Sequence, residues 1–138
     1  MAIRRNGTCE MIKITPIAEL EEKRSFAQVC ACVDELYPDA PMYGILIDDR
    51  KSGLCQFRTS EPGEILLLRS AVGVVDPQSL VLALRGALFF MDKLGIKEVV
   101  CLDSHCRTVA QAVGFCQNKL SLEGFFERKC GFSADSKL

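Results

Sequence analysis

Residues Asp76–Gly95 read DPQSLVLALRGALFFMDKLG, Ile96–Ser104 read IKEVVCLDS, and His105–Phe115 read HCRTVAQAVGF. The order predicts a capped apolar helix, a buried strand, and a second short helix closed by Gly-Phe. Asp76 can accept hydrogen bonds from the free N–H groups of a first helical turn. Pro77 suits the first helical position, where no N–H is needed. Leu80, Leu84, Ala87, Leu88 and Met91 recur at helical spacing. Val81, Phe89 and Phe90 widen that stripe, so the helix is expected to be covered on more than one side. Lys93 suits the negative end of the helix dipole, and Gly95 a left-handed stop. The helix is thus predicted over 77–94. Ile96 and Val99–Leu102 then form a short continuous apolar run, which suits a strand covered on both faces inside an α/β sheet.

Outward from this block, the chain reads as one domain with a core. It has 138 residues, 49% of them hydrophobic and 25% charged, an ordinary globular balance. The formal net charge of −1 gives no reason to expect nucleic acid or an anionic membrane as a partner. No apolar run approaches transmembrane length. The start, MAIRRNGTCEMIK, lacks the apolar core of a secretory signal, so a cytoplasmic protein is expected. Residues 1–9 and 133–138 are expected to be flexible ends.

Eight cysteines raise the question of metal or disulfides. No Cys-x2-Cys pair occurs, and His105 is the only histidine. Cys30 and Cys32 fall in a predicted helix, where residues two apart point in different directions. Cys55 and Cys101 fall in apolar strand-like runs. Reduced, mostly buried thiols with no bound metal are expected. Cys106 and Cys116, in less regular sequence, are the candidates for a reactive thiol.

The remaining elements alternate. Met11–Ile17 reads as a strand, Thr15-Pro16 as a helix start and Ala18–Tyr37 as a helix. Its apolar face carries Phe26, Val29, Cys30, Val33, Leu36 and Tyr37, and Glu19 and Lys23 pair on its wet face. Met42–Ile47 and Leu54–Arg58 read as strands joined by a polar loop, Asp48–Gly53. Glu64–Val72 reads as a long strand and Lys119–Leu122 as a last one, with Phe125 and Phe126 packing back on the core. Strands 42–47, 54–58 and 64–72 are expected to be antiparallel neighbours. Strand 98–103 should run parallel beside 64–72, with Val99–Leu102 against Leu66–Ala71.

From about Ile12 to Leu122 this order resembles the GCN5-related N-acetyltransferase (GNAT) superfamily. Two segments carry the resemblance. One is the hairpin Tyr43-Gly44-Ile45-Leu46-Ile47 through Gly53-Leu54-Cys55-Gln56-Phe57. The other is Leu84-Arg85-Gly86-Ala87-Leu88 to Leu94-Gly95-Ile96, followed by a strand and Val113-Gly114-Phe115. The resemblance implies a mixed α+β, three-layer acyl-CoA N-acyltransferase-like fold. It also implies acyl transfer from acetyl-CoA to a small-molecule or peptide amine, in a protein for which a homodimer is admissible.

In that family the loop after the fourth strand, together with the next helix N-terminus, holds the cofactor pyrophosphate on backbone N–H groups. The corresponding residues here are Leu68, Ala71 and Val72 at the strand end, and Gln78, Ser79, Leu80 and Val81 at the helix start. A backbone N–H around Leu68–Ala71 would stabilise the oxyanion. The family pattern Gln/Arg-x-x-Gly-x-Gly/Ala is degenerate. One register places Val75, Gln78 and Leu80 on it, the other Gln78, Val81 and Ala83. Asp76 adds negative charge where pyrophosphate would sit, a repulsion of roughly 3 kcal/mol at about 5 Å and an effective dielectric near 20.

The family's acid tyrosine is replaced by Ala110 and its asparagine by Asp103, and Cys106 stands for a small residue. The remaining catalytic candidates are Glu64 as a base at a strand start, His105, whose side-chain type exchanges protons near neutral pH, and Tyr43 as a substitute acid. Two functions follow: a divergent N-acetyltransferase using acetyl-CoA, or a catalytically inactive GNAT-fold module that binds a ligand or a protein.

Overall fold

The computed structural model describes residues 2–4 by their backbone, and residues 11–74 and 76–126 in full. The expected flexible end at 133–138, and Cys9 and Cys130, lie outside the described residues. Within the other expected end, Ala2–Arg4 forms strand β1, paired antiparallel with Met11–Lys13.

The elements then run β2 (Met11–Ile17), α1 (Leu20–Val29), a 3-10 turn (Val33–Glu35), β3 (Met42–Ile47), β4 (Arg50–Arg58) and β5 (Gly63–Ser70). They continue with α2 (Pro77–Lys93), β6 (Glu98–Cys101), a second 3-10 turn (Ser104–Cys106), α3 (Arg107–Val113) and β7 (Lys119–Ser121). The strands form one sheet in sequence order, antiparallel except for the parallel pair β5/β6. This is the mixed three-layer architecture expected from the sequence.

Strand alternation sorts the core into two layers. Met42, Leu54 and Leu67 face α1 and pack with Phe26, Ala27 and Cys30. Ile45, Cys55, Ile65 and Leu68 face the other way, onto Leu84, Ala87, Leu88 and Met91 of α2 and Val109 and Val113 of α3. Gly44 lies on the α1 face, where a Cβ would come within 2.6 Å of the Phe26 ring; the helix can approach the sheet only over a bare backbone.

Several boundaries differ from expectation. The first helix stops at Val29 rather than Tyr37. Ala31 takes a left-handed φ of 55°, and Cys32 N–H donates to Ala27 O, folding Cys32 back onto the core. Pro16 lies inside β2 rather than starting a helix. Strand β1 covers only Met11–Lys13, so Pro16 occupies an edge position where its missing N–H costs no ladder bond.

Lys23 is not in a surface pair with Glu19. It is buried, and its ammonium donates to Pro38 O (3.2 Å) and Ala40 O (3.0 Å). Gln56 ties down the same turn through Tyr37 N, Tyr37 O and Ala40 O.

The β3–β4 loop is only Asp48-Asp49, both with positive φ, the conformation of a tight two-residue hairpin turn. Arg50–Gly53, expected in the loop, belongs to β4, with Ser52 bulged between Lys51 and Gly53. Strand β5 ends at Ser70, two residues early. It carries its own bulge at Leu66, since Gln56 opposes Leu67 while Phe57 opposes Ile65. Strand β6 runs parallel to β5 but pairs with Gly63–Ile65, not Leu66–Ala71. Phe125 packs into the core and Phe126 edges against it at 4.9 Å between ring centroids.

Candidate functional site

The short pairing of β5 with β6 creates the cleft. Leu102 N–H donates to Ile65 O at 2.9 Å, and beyond this last link the strands part. A cavity of about 480 Å³ opens there, lined by Leu66, Leu67, Arg69, Asp103, His105 and the 34–37 turn. The Leu66 bulge re-aims the strand at this point, as bulges beside sites commonly do.

Asp103, immediately after β6, fills the opening. Its Oδ2 accepts from Leu68 N (2.9 Å) and Arg69 Nε (2.8 Å), and its Oδ1 from Arg69 Nη2 (3.2 Å) and His105 N (3.0 Å). The other edge of the guanidinium grips Glu35 at 2.7 and 3.2 Å. Burial pushes the Asp103 carboxyl upward, but Arg69 and the Leu68 and His105 N–H groups outweigh it and hold the group below the ordinary carboxylate value. The Arg69 contacts likewise lower Glu35.

An ionised Asp103 only accepts hydrogen bonds. The His105 Nδ1 at 3.1 Å from its Oδ1 is therefore placed to donate, which turns Nε2 away from Asp103. The His105 side chain is 63% exposed, so that nitrogen is accessible from solvent.

The three expected catalytic residues do not converge. His105 lies in the cleft. Glu64 sits on the still-paired part of β5, where its carboxylate binds Arg58 Nη1 at 3.0 Å. Tyr43 packs on Phe57 and lines a different groove, on the α2 side. Burial, and secondarily Cys55, raise the Tyr43 phenol above its ordinary value. Ala110, at the family's tyrosine position, is buried in α3.

The three expected strand-end donors have partners within the chain. Leu68 N–H goes to Asp103, Ala71 N–H to Ser52 O (2.8 Å) and Val72 N–H to Val29 O (2.8 Å). At the helix start, Asp76 is a buried N-cap whose Oδ1 accepts from Ser79 N at 3.3 Å, while Ser79 Oγ donates back to Asp76 O at 2.9 Å. Leu80 and Val81 are half-buried against the core, and Gln78 is exposed. Asp76 and Ser79 thus occupy part of the helix start with each other, and the Leu68 N–H faces a carboxylate oxygen in the cleft.

Arg69 and Glu35 were not among the expected site residues. The one available signal was a lone arginine in the leucine run Leu66-Leu67-Leu68-Arg69.

The thiols are buried where described, except Cys116. Cys101 and Cys106 lie 3.2 Å apart, and Cys106 donates to Asp103 O at 3.1 Å. The hydrogen bond shared with Cys101, then burial, pushes Cys106 up, while the same bond pulls Cys101 down. No cluster of His, Cys, Asp and Glu suited to a metal occurs among the described residues. No helix among them is long and apolar enough to cross a membrane.

No family model and no curated protein sequence matches the chain. Solved structures do. An N-acetylglutamate synthase from Neisseria gonorrhoeae, complexed with coenzyme A and N-acetyl-glutamate, superposes with a TM-score of 0.59 at 14% identity, over 86% of this chain and 32% of the synthase. The chain therefore spans about a third of that enzyme's length. A protein from Exiguobacterium sp. 255-15, described provisionally as an acetyltransferase, superposes with a TM-score of 0.54 at 10% identity, over 86% of this chain and 97% of that one. Sheet order and these superpositions agree, although β6 pairs lower on β5 than expected: the chain has a GNAT-like acyl-CoA N-acyltransferase fold.

Proposed function

We propose that the chain is a divergent N-acyltransferase that accepts an acyl thioester by its acyl end and passes the acyl group to an unidentified small-molecule or peptide amine. The observation that carries this is the Leu68 N–H, which points into the β5/β6 cleft and already holds an anionic oxygen at 2.9 Å. A thioester carbonyl oxygen could replace the Asp103 oxygen there while Asp103 keeps Arg69 and His105. The N–H would then stabilise negative charge developing on that oxygen. His105 Nε2 would take the proton of the incoming amine, with Asp103 orienting the ring; as the C–N bond forms the C–S bond breaks, and the departing thiolate would take up that proton from His105 or one from water to leave as the thiol. Acetyl-CoA, when bound, would supply the activated acyl group. The engaged N–H groups of Ala71 and Val72 and the charge of the Asp76 cap disfavour a pyrophosphate beside them, so the nucleotide part should contribute little.

A non-catalytic role in ligand or protein binding is favoured by a separate observation: the Ala71 and Val72 donors are satisfied by Ser52 O and Val29 O of the chain itself. One thermal-shift series separates the two. Acetyl-CoA and acetylpantetheine, each at about 1 mM, should raise Tm by similar amounts, because binding to the native state stabilises by mass action. Adenosine 3′,5′-diphosphate should not. If neither thioester raises Tm, the acyltransferase proposal falls and the non-catalytic one stands. Stabilisation by the diphosphate alone would show that the loop does hold phosphate.

A further inference from the structure

On the opposite face of the sheet from the Arg69–Asp103 cluster, an open groove of about 1020 Å³ runs between the ends of β2, β3 and β4 and the second half of α2. This is at the upper end of the range for small-molecule sites. Five aromatic rings line it: Tyr43, Phe57, Phe89, Phe90 and Phe126. Two of them, Phe89 and Phe90, are 49% and 40% exposed on adjacent positions of α2. Aromatic side chains left uncovered together mark an interaction site rather than chance exposure.

The charges on the groove say what kind of ligand it fits. Arg85 lines it, with its guanidinium 5.9 Å from the centroids of both Phe125 and Phe126, a stacking that holds the fork in place. Arg58 and Arg69 have carboxylate partners, but no carboxylate among the described residues lies within 4.0 Å of Arg85. Lys23 also lines the groove, with its ammonium committed to the Pro38 and Ala40 carbonyls. The one acid on the lining is Asp39, exposed. A half-buried, stacked, acid-free guanidinium beside an apolar trough matches a ligand with one anionic head and an apolar body.

We propose that this groove binds a single-chain fatty carboxylate, with the head on Arg85 and the alkyl chain along the aromatic wall. The site is independent of the β5/β6 cleft and does not rest on acyl transfer.

Gly86 provides a clean blocking variant. A Cβ there would meet the Tyr43 ring at 3.7 Å, an ordinary contact, and Gly86 lines the groove, so a larger side chain would occupy the space beside that ring. Replacing a mid-helix glycine also favours the helix.

The test is calorimetric titration of the full chain with decanoate and, as the headless control, decan-1-ol. Wild type should bind decanoate at one site. Arg85→Gln should weaken decanoate by about tenfold or more and leave decanol unchanged. Gly86→Leu should abolish both while Tm does not fall. The proposal is overturned if wild type shows no decanoate binding at about 1 mM, or if Arg85→Gln binds both ligands as wild type does. It is equally overturned if light scattering shows a dimer that Gly86→Leu dissociates, because a second copy would then cover the groove.

Discussion

Replacing Asp103 with asparagine keeps the shape of the side chain that plugs the β5/β6 opening and removes its charge. The Asp103 side chain is 2% exposed and that of Arg69 12%, so the pair is largely out of solvent. Breaking a buried pair by removing one partner costs about 3–5 kcal/mol. Two features place this case at the low end. Arg69 keeps Glu35, and asparagine retains one acceptor oxygen, which in the place of Oδ2 still accepts from Leu68 N–H and Arg69 Nε, while its amide NH2 faces the Arg69 Nη2 and His105 N–H donors that Oδ1 served. The expected loss is about 3 kcal/mol at pH 7, on a total stability of order 5–15 kcal/mol, equivalent to a fall in Tm of about 10 °C.

The loss should depend on pH in a defined direction. The folded carboxyl titrates below its ordinary value of 3.8. Its contribution is therefore complete above that value and is lost as pH falls through the folded one. Urea denaturation of wild type and Asp103→Asn at a series of pH values should show the gap closing toward about pH 2, with the m-value unchanged. A gap below about 1 kcal/mol at pH 7 would mean that the pair is solvated and worth no more than a surface bridge. A gap that persists undiminished into acid would mean that the carboxylate charge is not what holds the opening shut.

Other outcomes are equally specific. Gly44→Ala should destabilise by about 1–3 kcal/mol through overpacking against Phe26, and Phe26→Leu should relieve part of that in the double variant, both read by urea midpoint. In native protein a thiol reagent should modify Cys116 promptly and leave Cys55, fully buried and raised by that burial, untouched until unfolding; peptide mapping by mass spectrometry reads the order, and elemental analysis should find no stoichiometric zinc. Asp76→Gly should free Ser79 N–H and remove charge from the α2 N-terminus, tightening acetyl-CoA binding by calorimetry at a cost of a few tenths of a kcal/mol for the cap; unchanged binding would show that this loop is not where the cofactor's phosphates would lie.

The α2–β6–α3 block was legible because its signals are local. Asp76, Pro77 and Gly95 delimit one helix through backbone chemistry that involves only neighbours. The apolar repeat inside it demands a covered face whatever covers it. The first helix is shorter than its sequence pattern because Phe26, Val29, Cys30, Val33 and Leu36 continue a helical period past Val29, where the helix ends. What ends the helix is the left-handed Ala31 and the return of Cys32 to Ala27 O, with no glycine or proline to announce it. Arg50–Ser52 was read as loop because polar residues in the first turns of a hairpin look like turn chemistry. The two-residue Asp48-Asp49 turn leaves them in the ladder.

The site was less legible because its members meet only in three dimensions. Arg69 and Asp103 are thirty-four residues apart, and each alone looks like a solvated charge at a strand end. Glu64, His105 and Tyr43 are chemically able groups, but sequence carries no information on which face of the sheet, or which end of a strand, each occupies. By itself the sequence determined the elements that bury a stripe or cap their own ends, and hence the order from which the fold follows, because those depend on contacts within a few residues. Only the tertiary structure decided where β5 and β6 part, that Asp103 enters the gap, and that the aromatic face of α2 stays open beside Arg85. Each of these depends on the register between strands and on the packing of distant segments, which local propensity does not encode.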